Sequence, residues 1–97
     1  MNNSNEITLK DAIKQLLDAN PLMKDKINEN KLYEVWEKLV GKMIAKRTQK
    51  ITIKNKVLII EINSASLRNE LSFAKEKIKN IINAEFKENI LDEVRIK

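Results

Sequence analysis

Histidine and cysteine are both missing from the 97 residues, and this decides most of what chemistry is open to the chain. Without imidazole or thiol there is no ordinary general base, no Ser-His or Cys-His nucleophile pair and no usual transition-metal ligand. A disulfide framework is excluded for the same reason, so the chain needs no oxidising compartment and a cytoplasmic location is expected. Gly41 is the single glycine, so neither a phosphate-cradling P-loop nor a dinucleotide fingerprint exists. Carboxylate pairs remain, Glu85 with Glu88 and Asp92 with Glu93. They would hold Mg²⁺ only through water, and they read first as ordinary charged ends of elements. Ser64 and Ser66, lacking any base, read as helix caps. The expectation is a non-enzyme with no cofactor, no metal and no small-molecule substrate.

The cations are more informative. Residues 38–60 carry seven basic and no acidic side chains, whereas residues 1–37 carry five basic and seven acidic, and residues 61–97 seven of each. A block of this kind attracts polyanions at long range and contacts phosphates directly; the competing reading is a solvated lysine face. Within it Lys38, Lys42, Lys46, Arg47, Lys50 and Lys54 are the candidate nucleic-acid contacts. On a helical wheel Lys31, Lys38 and Lys42 form one basic line, and Arg68, Lys75 and Lys79 form a second. Candidate partner contacts are Phe73, outside any apolar stripe, and Val57 with Ile59, an apolar patch flanked by lysines. The same patch would equally serve as the seat of a helix, and the first helix must bury Leu9, Ile13 and Leu16 somewhere. Trp36, at the centre of an apolar stripe, reads as a core anchor. Four aromatics in all do not support extensive base stacking.

These residues need elements to position them. Leu9, Ala12, Ile13, Leu16 and Leu17 have helical spacing after a Thr8 cap, and the segment ends before Asn20-Pro21. A polar stretch runs to about Glu29. Leu32 through Ile44 then repeat at i, i+3, i+4 and i+7, which predicts one long helix. From Thr48 the period becomes two: Ile51 and Ile53, then Leu58, Ile60 and Ile62, a hairpin turning at Asn55-Lys56. That turn pairs Ile53 with Leu58 and Ile51 with Ile60, although lysine fits a positive-φ position poorly and a longer loop is the alternative. A helix capped by Ser64 or Ser66 runs to about Phe86, burying Leu67, Leu71, Ala74, Ile78, Ile81 and Ile82. Leu91 to Lys97 alternate as a third strand, which would bring Arg95 and Lys97 next to Lys50 and Lys54 if it paired alongside, with Val57 and Ile59 between them. The fold class is α+β, in the order α-α-β-β-α-β, with a three-stranded sheet packed against helices. One domain is expected over residues 8–97 after a flexible segment 1–7. The polar start and the lack of a long apolar run argue against secretion and against a membrane partner.

Taken in order, Trp36, Val40-Gly41, Ala45, Thr48, Val57-Leu58, Ser64, Glu70-Leu71, Asn83 and Val94-Arg95-Ile96 resemble the DciA family of bacterial replicative-helicase loaders. Lys56, where a turn glycine is usual, and Leu67, where an aromatic is common, depart from its pattern. The resemblance implies a KH-like fold without the GxxG clamp, and Gly41-Lys42-Met43-Ile44 has no second glycine. It also implies two partners, a DnaB-type replicative helicase and DNA, single-stranded or duplex, bound with low sequence specificity. Two other classes stay open beside it: a KH-like factor binding RNA or the ribosome, and a pure protein-interaction adaptor.

Overall fold

A computed structural model describes residues 8–97, and the flexible segment expected at residues 1–7 lies outside the described residues. The elements are α1 (Leu9–Asp18), α2 (Pro21–Val40), α3 (Lys42–Arg47), β1 (Thr48–Lys54), β2 (Val57–Ile62), α4 (Ala65–Leu71), α5 (Lys75–Phe86) and β3 (Glu93–Ile96). The α+β class is as expected, but both long helices of the sequence analysis are divided, and the first of them begins already at Pro21.

Pro21 opens α2 at a position where its fixed φ suits a helix and its missing N–H costs nothing. The polar stretch before Glu29 is therefore helical. Its polarity has a structural cause, because this half of α2 faces a strand edge instead of the core. Asp25 Oδ2 accepts from Asn55 N (2.9 Å), Glu29 Oε2 accepts from Ile53 N (2.9 Å), and Tyr33 Oη both accepts from Ile51 N (3.0 Å) and donates to Ile51 O (3.2 Å). Three side chains at i, i+4 and i+8 thus satisfy the outward backbone groups of β1 and close that edge to further strands. Gly41 ends α2 at φ 89°, ψ 164°, a region open almost only to glycine. The expected helix through Ile44 breaks there, and α3 starts in a new direction.

The hairpin has the expected register, Ile53 opposite Leu58, Ile51 opposite Ile60, Thr52 opposite Ile59 and Lys50 opposite Glu61. Its loop is the two-residue one. Asn55 (φ 51°) and Lys56 (φ 65°) both take positive φ, so lysine tolerates the turn and no longer loop forms. Strand β3 runs parallel to β2 in the order β1-β2-β3. Strand β2 therefore lies between Lys50 and Lys54 on one side and Arg95 on the other, with Val57 and Ile59 between them as expected.

Ser64 Oγ caps α4 by accepting from Leu67 N (3.3 Å), while Ser66 only approaches Ser64 Oγ. The single helix expected up to Phe86 breaks at Ser72–Ala74, where Ser72 Oγ bonds Asn69 O (2.6 Å) and competes with the helical ladder. Helices α2, α4 and α5 pack against the sheet. The core unites Leu32, Trp36, Ile51, Ile53, Leu58, Ile60, Ile62, Leu67, Leu71, Ile78, Ile82 and Val94. Leu39, Ala74 and Ile81 are half-buried instead of fully so, and Met43 is exposed. Trp36 is 5% exposed, and its Nε1 donates to Thr48 Oγ1 (3.0 Å), which in turn donates to Ile44 O (2.7 Å). Helix α1 packs chiefly on α2 and has no fully buried residue, so among the described residues nothing buries Leu9, Ile13 and Leu16 as expected.

Candidate nucleic-acid interface

Helix α3 is a six-residue connector carrying three exposed cations. Lys42 and Lys46 lie one turn apart on one side, Arg47 follows, and Ile44 and Ala45 lean against the core. Thr48, tied to Trp36, ends the helix and starts β1. Two residues on, past a register shift between Thr48 and Lys50, Lys50 projects from the sheet's outer face. Arg47 O accepts from Asn63 N (3.0 Å), which draws the end of β2 against this corner. Among the described residues none of Lys42, Lys46, Arg47, Lys50 and Lys54 has an ion-pair partner. Lys42, Lys46, Arg47 and Lys50 thus follow one another, all exposed, across the corner where α3 meets β1. Lys54 stands apart, about 13 Å farther along β1 at the rise of a strand, on the side where the hairpin tip meets Asp18, Asp25 and Glu88.

Both basic lines seen on the helical wheel are cut. Gly41 separates Lys31 and Lys38 on α2 from Lys42 on α3, and the Ser72–Ala74 break separates Arg68 from Lys75 and Lys79. Several of these side chains also have protein partners. Lys38 Nζ bonds Glu85 Oε2 (3.0 Å), Lys79 pairs with Glu76 (2.6 Å), and Arg68 Nη1 donates to Ile62 O, pinning α4 to the end of β2. Lys75 is exposed without an ion pair among the described residues.

The outer face of the sheet has three rows: Lys54, Val57, Glu93; Thr52, Ile59, Arg95; and Lys50 beside Glu61. Val57 and Ile59 are half-buried there. Arg95 Nε sits 2.8 Å from Glu93 Oε2, and this pair holds the Glu93 carboxyl below its usual range and the Arg95 guanidinium above its own. The rim of the apolar patch is therefore mixed in charge instead of purely basic. Phe73 is 85% exposed in the turn between α4 and α5.

A model of the DciA family, described as the Dna[CI] antecedent, matches residues 8–96. The chain belongs to the DciA family. Comparison with curated proteins and with solved structures finds no match. In this DciA member several of the residues that carry the resemblance are structural. Trp36 and Thr48 bond each other, Gly41 supplies the positive φ and Ser64 is a cap. The Asn83 side chain holds the approach to β3: Oδ1 accepts from Ile90 N and Leu91 N (3.0 Å each), and Nδ2 donates to Leu91 O (3.0 Å). Its family pattern thus largely reports the fold, and the exposed cations of α3 and β1 lie outside it.

The carboxylates weighed for Mg²⁺ have protein partners: Glu85 with Lys38, Glu88 with Lys24, Asp92 with Asn89 and Glu93 with Arg95. Among the described residues no helix is long and apolar enough to cross a membrane. Two features escaped sequence reasoning. The clamp of Asp25, Glu29 and Tyr33 on β1 was visible as a four-residue repeat, but only once the stretch is known to be helical. The exposure of the α1 stripe had no sequence signal, since an amphipathic helix looks the same whether or not its apolar side is covered.

Proposed function

We propose that this DciA protein is a non-enzymatic adaptor that binds the DnaB-type replicative helicase and DNA together, contacting DNA phosphates through Lys42, Lys46, Arg47 and Lys50, with Lys54 and Lys75 at the margin. The observation that carries the proposal is the corner where α3 meets β1: four exposed cations within nine residues, no acid in that stretch and no ion pair among the described residues. Such a surface neutralises phosphates without reading bases, since it offers neither an aromatic platform nor an element shaped for a groove. Lys38, Arg68 and Lys79, occupied by Glu85, Ile62 O and Glu76, contribute field more than contact. The helicase partner follows from family membership, and Phe73, Val57 and Ile59 are the candidate contacts carried over from the sequence.

The test is a charge reversal, Lys42→Glu with Lys46→Glu and Arg47→Glu. It should weaken binding to duplex and single strands alike, by at least about tenfold at low salt, with an unchanged melting temperature, because these side chains lie outside the core. Glu34→Lys with Glu37→Lys, reversed on exposed positions of α2, should not weaken binding. A triple variant that still binds DNA but loses the helicase would reassign the corner to the protein partner. Tighter binding to RNA than to DNA in direct competition would favour an RNA-binding role.

A further inference from the structure

Gly41 turns α3 so that Met43, which the apolar spacing of the sequence assigns to a helical stripe, stands 70% exposed. It does not face open solvent alone. Met43 and Arg47, one turn apart on α3, line a cavity of about 170 Å³ together with Ser64, Ser66, Leu67 and Glu70 of α4 and its approach. Leu67, 9% exposed, is the floor, and the two serine hydroxyls, 3.3 Å apart, form one rim. Arg47 and Glu70 line the same space, yet among the described residues neither has an ion-pair partner, so no bridge closes the mouth.

The neighbours of this cavity on α3 are the cations. Lys42 and Lys46 form one row and Met43 and Arg47 the next, about 100° farther round the helix. A strand whose phosphates follow the lysine row has its bases within reach of the cavity. The chemistry of the walls says which part of a nucleotide enters. The Glu70 carboxylate repels a phosphate, while Met43 and Leu67 offer thioether and aliphatic surface against which an uncharged ring packs. The Arg47 guanidinium is a flat cation of the kind that stacks on a base. At about 170 Å³ the space is smaller than the roughly 300 Å³ at which small-molecule sites begin. It admits one ring system, not a whole nucleotide or a stacked pair. A base inside a duplex cannot enter, because its faces are taken by its neighbours in the stack.

We infer that this cavity receives one unpaired base of a DNA strand whose phosphates lie on Lys42 and Lys46, and so gives the corner a preference for single strands over duplex. The inference rests on the proposed function for DNA as the ligand, and adds a base site to the phosphate contacts. Packing of this kind tolerates any sequence, since every base has a flat face.

The experiment is equilibrium binding of the full chain, at low salt, to three ligands of one length: a single strand of mixed sequence, the same strand with every base removed, and the duplex. The wild type should hold the natural strand about fivefold more tightly than the abasic one, the low end of what packing one base contributes. Met43→Ala, which removes a wall, and Ser66→Leu, which fills the space from its rim, should each bring the natural strand down to the abasic affinity. Neither change alters charge, so abasic and duplex affinity should stay as in the wild type. Met23→Ala, at an exposed methionine of α2 outside the cavity, should behave as the wild type throughout. Met43→Ala alters an exposed side chain and should melt as the wild type does, so it carries the test even where Ser66→Leu destabilises α4. A wild type that binds natural and abasic strands equally would overturn the base site and leave the phosphate reading intact, giving the cavity to a side chain of the protein partner. A natural-strand advantage that survives in Met43→Ala would place the base elsewhere and overturn the inference as well. A wild type that binds none of the three ligands would overturn both readings.

Discussion

The two ends of α2 differ in kind. At its C-terminal end the chain turns at Gly41 into a short helix whose exposed side chains are charged and whose apolar ones, Ile44 and Ala45, reach the core. At its N-terminal end it turns at Pro21 into α1, whose polar side chains brace the corner and whose apolar ones face solvent. One connector exposes charge and the other exposes aliphatic surface, so the ends are suited to partners recognised by different physics. Long-range attraction that fades with salt belongs to the first, and short-range burial that does not belongs to the second.

Because α2 links the ends, its core anchor should be the largest lever on both. Trp36→Ala empties a buried site and leaves Thr48 without its donor, costing about 3–5 kcal/mol, a large share of a small domain's stability. Thermal denaturation should show the loss, and DNA and helicase affinity should fall together. A variant melting like the wild type would dismiss Trp36 as the link. Glu29→Ala is expected to cost about 1–3 kcal/mol by leaving the buried Ile53 N–H unpaired, read by chemical denaturation, with both affinities preserved wherever the protein is folded.

Lys24→Met should separate the ends most cleanly. Its bridge is part-exposed, so stability should drop by no more than about 1 kcal/mol. Amide exchange over α1 should quicken several-fold as the helix loses that tie, with DNA affinity unchanged. The hydrogen bonds that Lys24 donates to Asp18 and Glu88 raise its pKa above the ordinary lysine value. The bridge is therefore fully present below that ordinary value and is lost only as pH rises through the higher folded one. Exchange over α1 that, corrected for its intrinsic pH dependence, quickened already between pH 6 and pH 8 would show that something other than Lys24 holds the helix.

Much of this architecture was legible in the sequence. The hairpin register followed from the alternation of Ile51, Ile53, Leu58 and Ile60, which any one-residue slip would reverse. Trp36 as anchor and Phe73 as an exposed side chain followed from their places on the helical period. The helix joints were not legible, because Gly41 and Ser72 interrupt the ladder without disturbing the apolar spacing on either side. Helix α2 began earlier than its apolar pattern because Asp25, Glu29 and Tyr33 pack on strand backbone, and polar residues leave no apolar period to read. For the candidate site, the α3 cations were found by composition alone. Which of the other basic residues have partners, Lys38 with Glu85 or Arg68 with Ile62 O, depended on contacts between distant segments.

The most direct test of two ends with two kinds of partner is the salt dependence of both equilibria on the wild-type chain. Neutralising about four phosphates through Lys42, Lys46, Arg47 and Lys50 predicts that the logarithm of DNA affinity falls against the logarithm of salt with a slope of about −3 to −4. Where the aliphatic end takes the helicase, that affinity should change with a slope near zero. Equal slopes for the two ligands, or a steep slope for the helicase and a flat one for DNA, would contradict the assignment of charge to one end and apolar docking to the other.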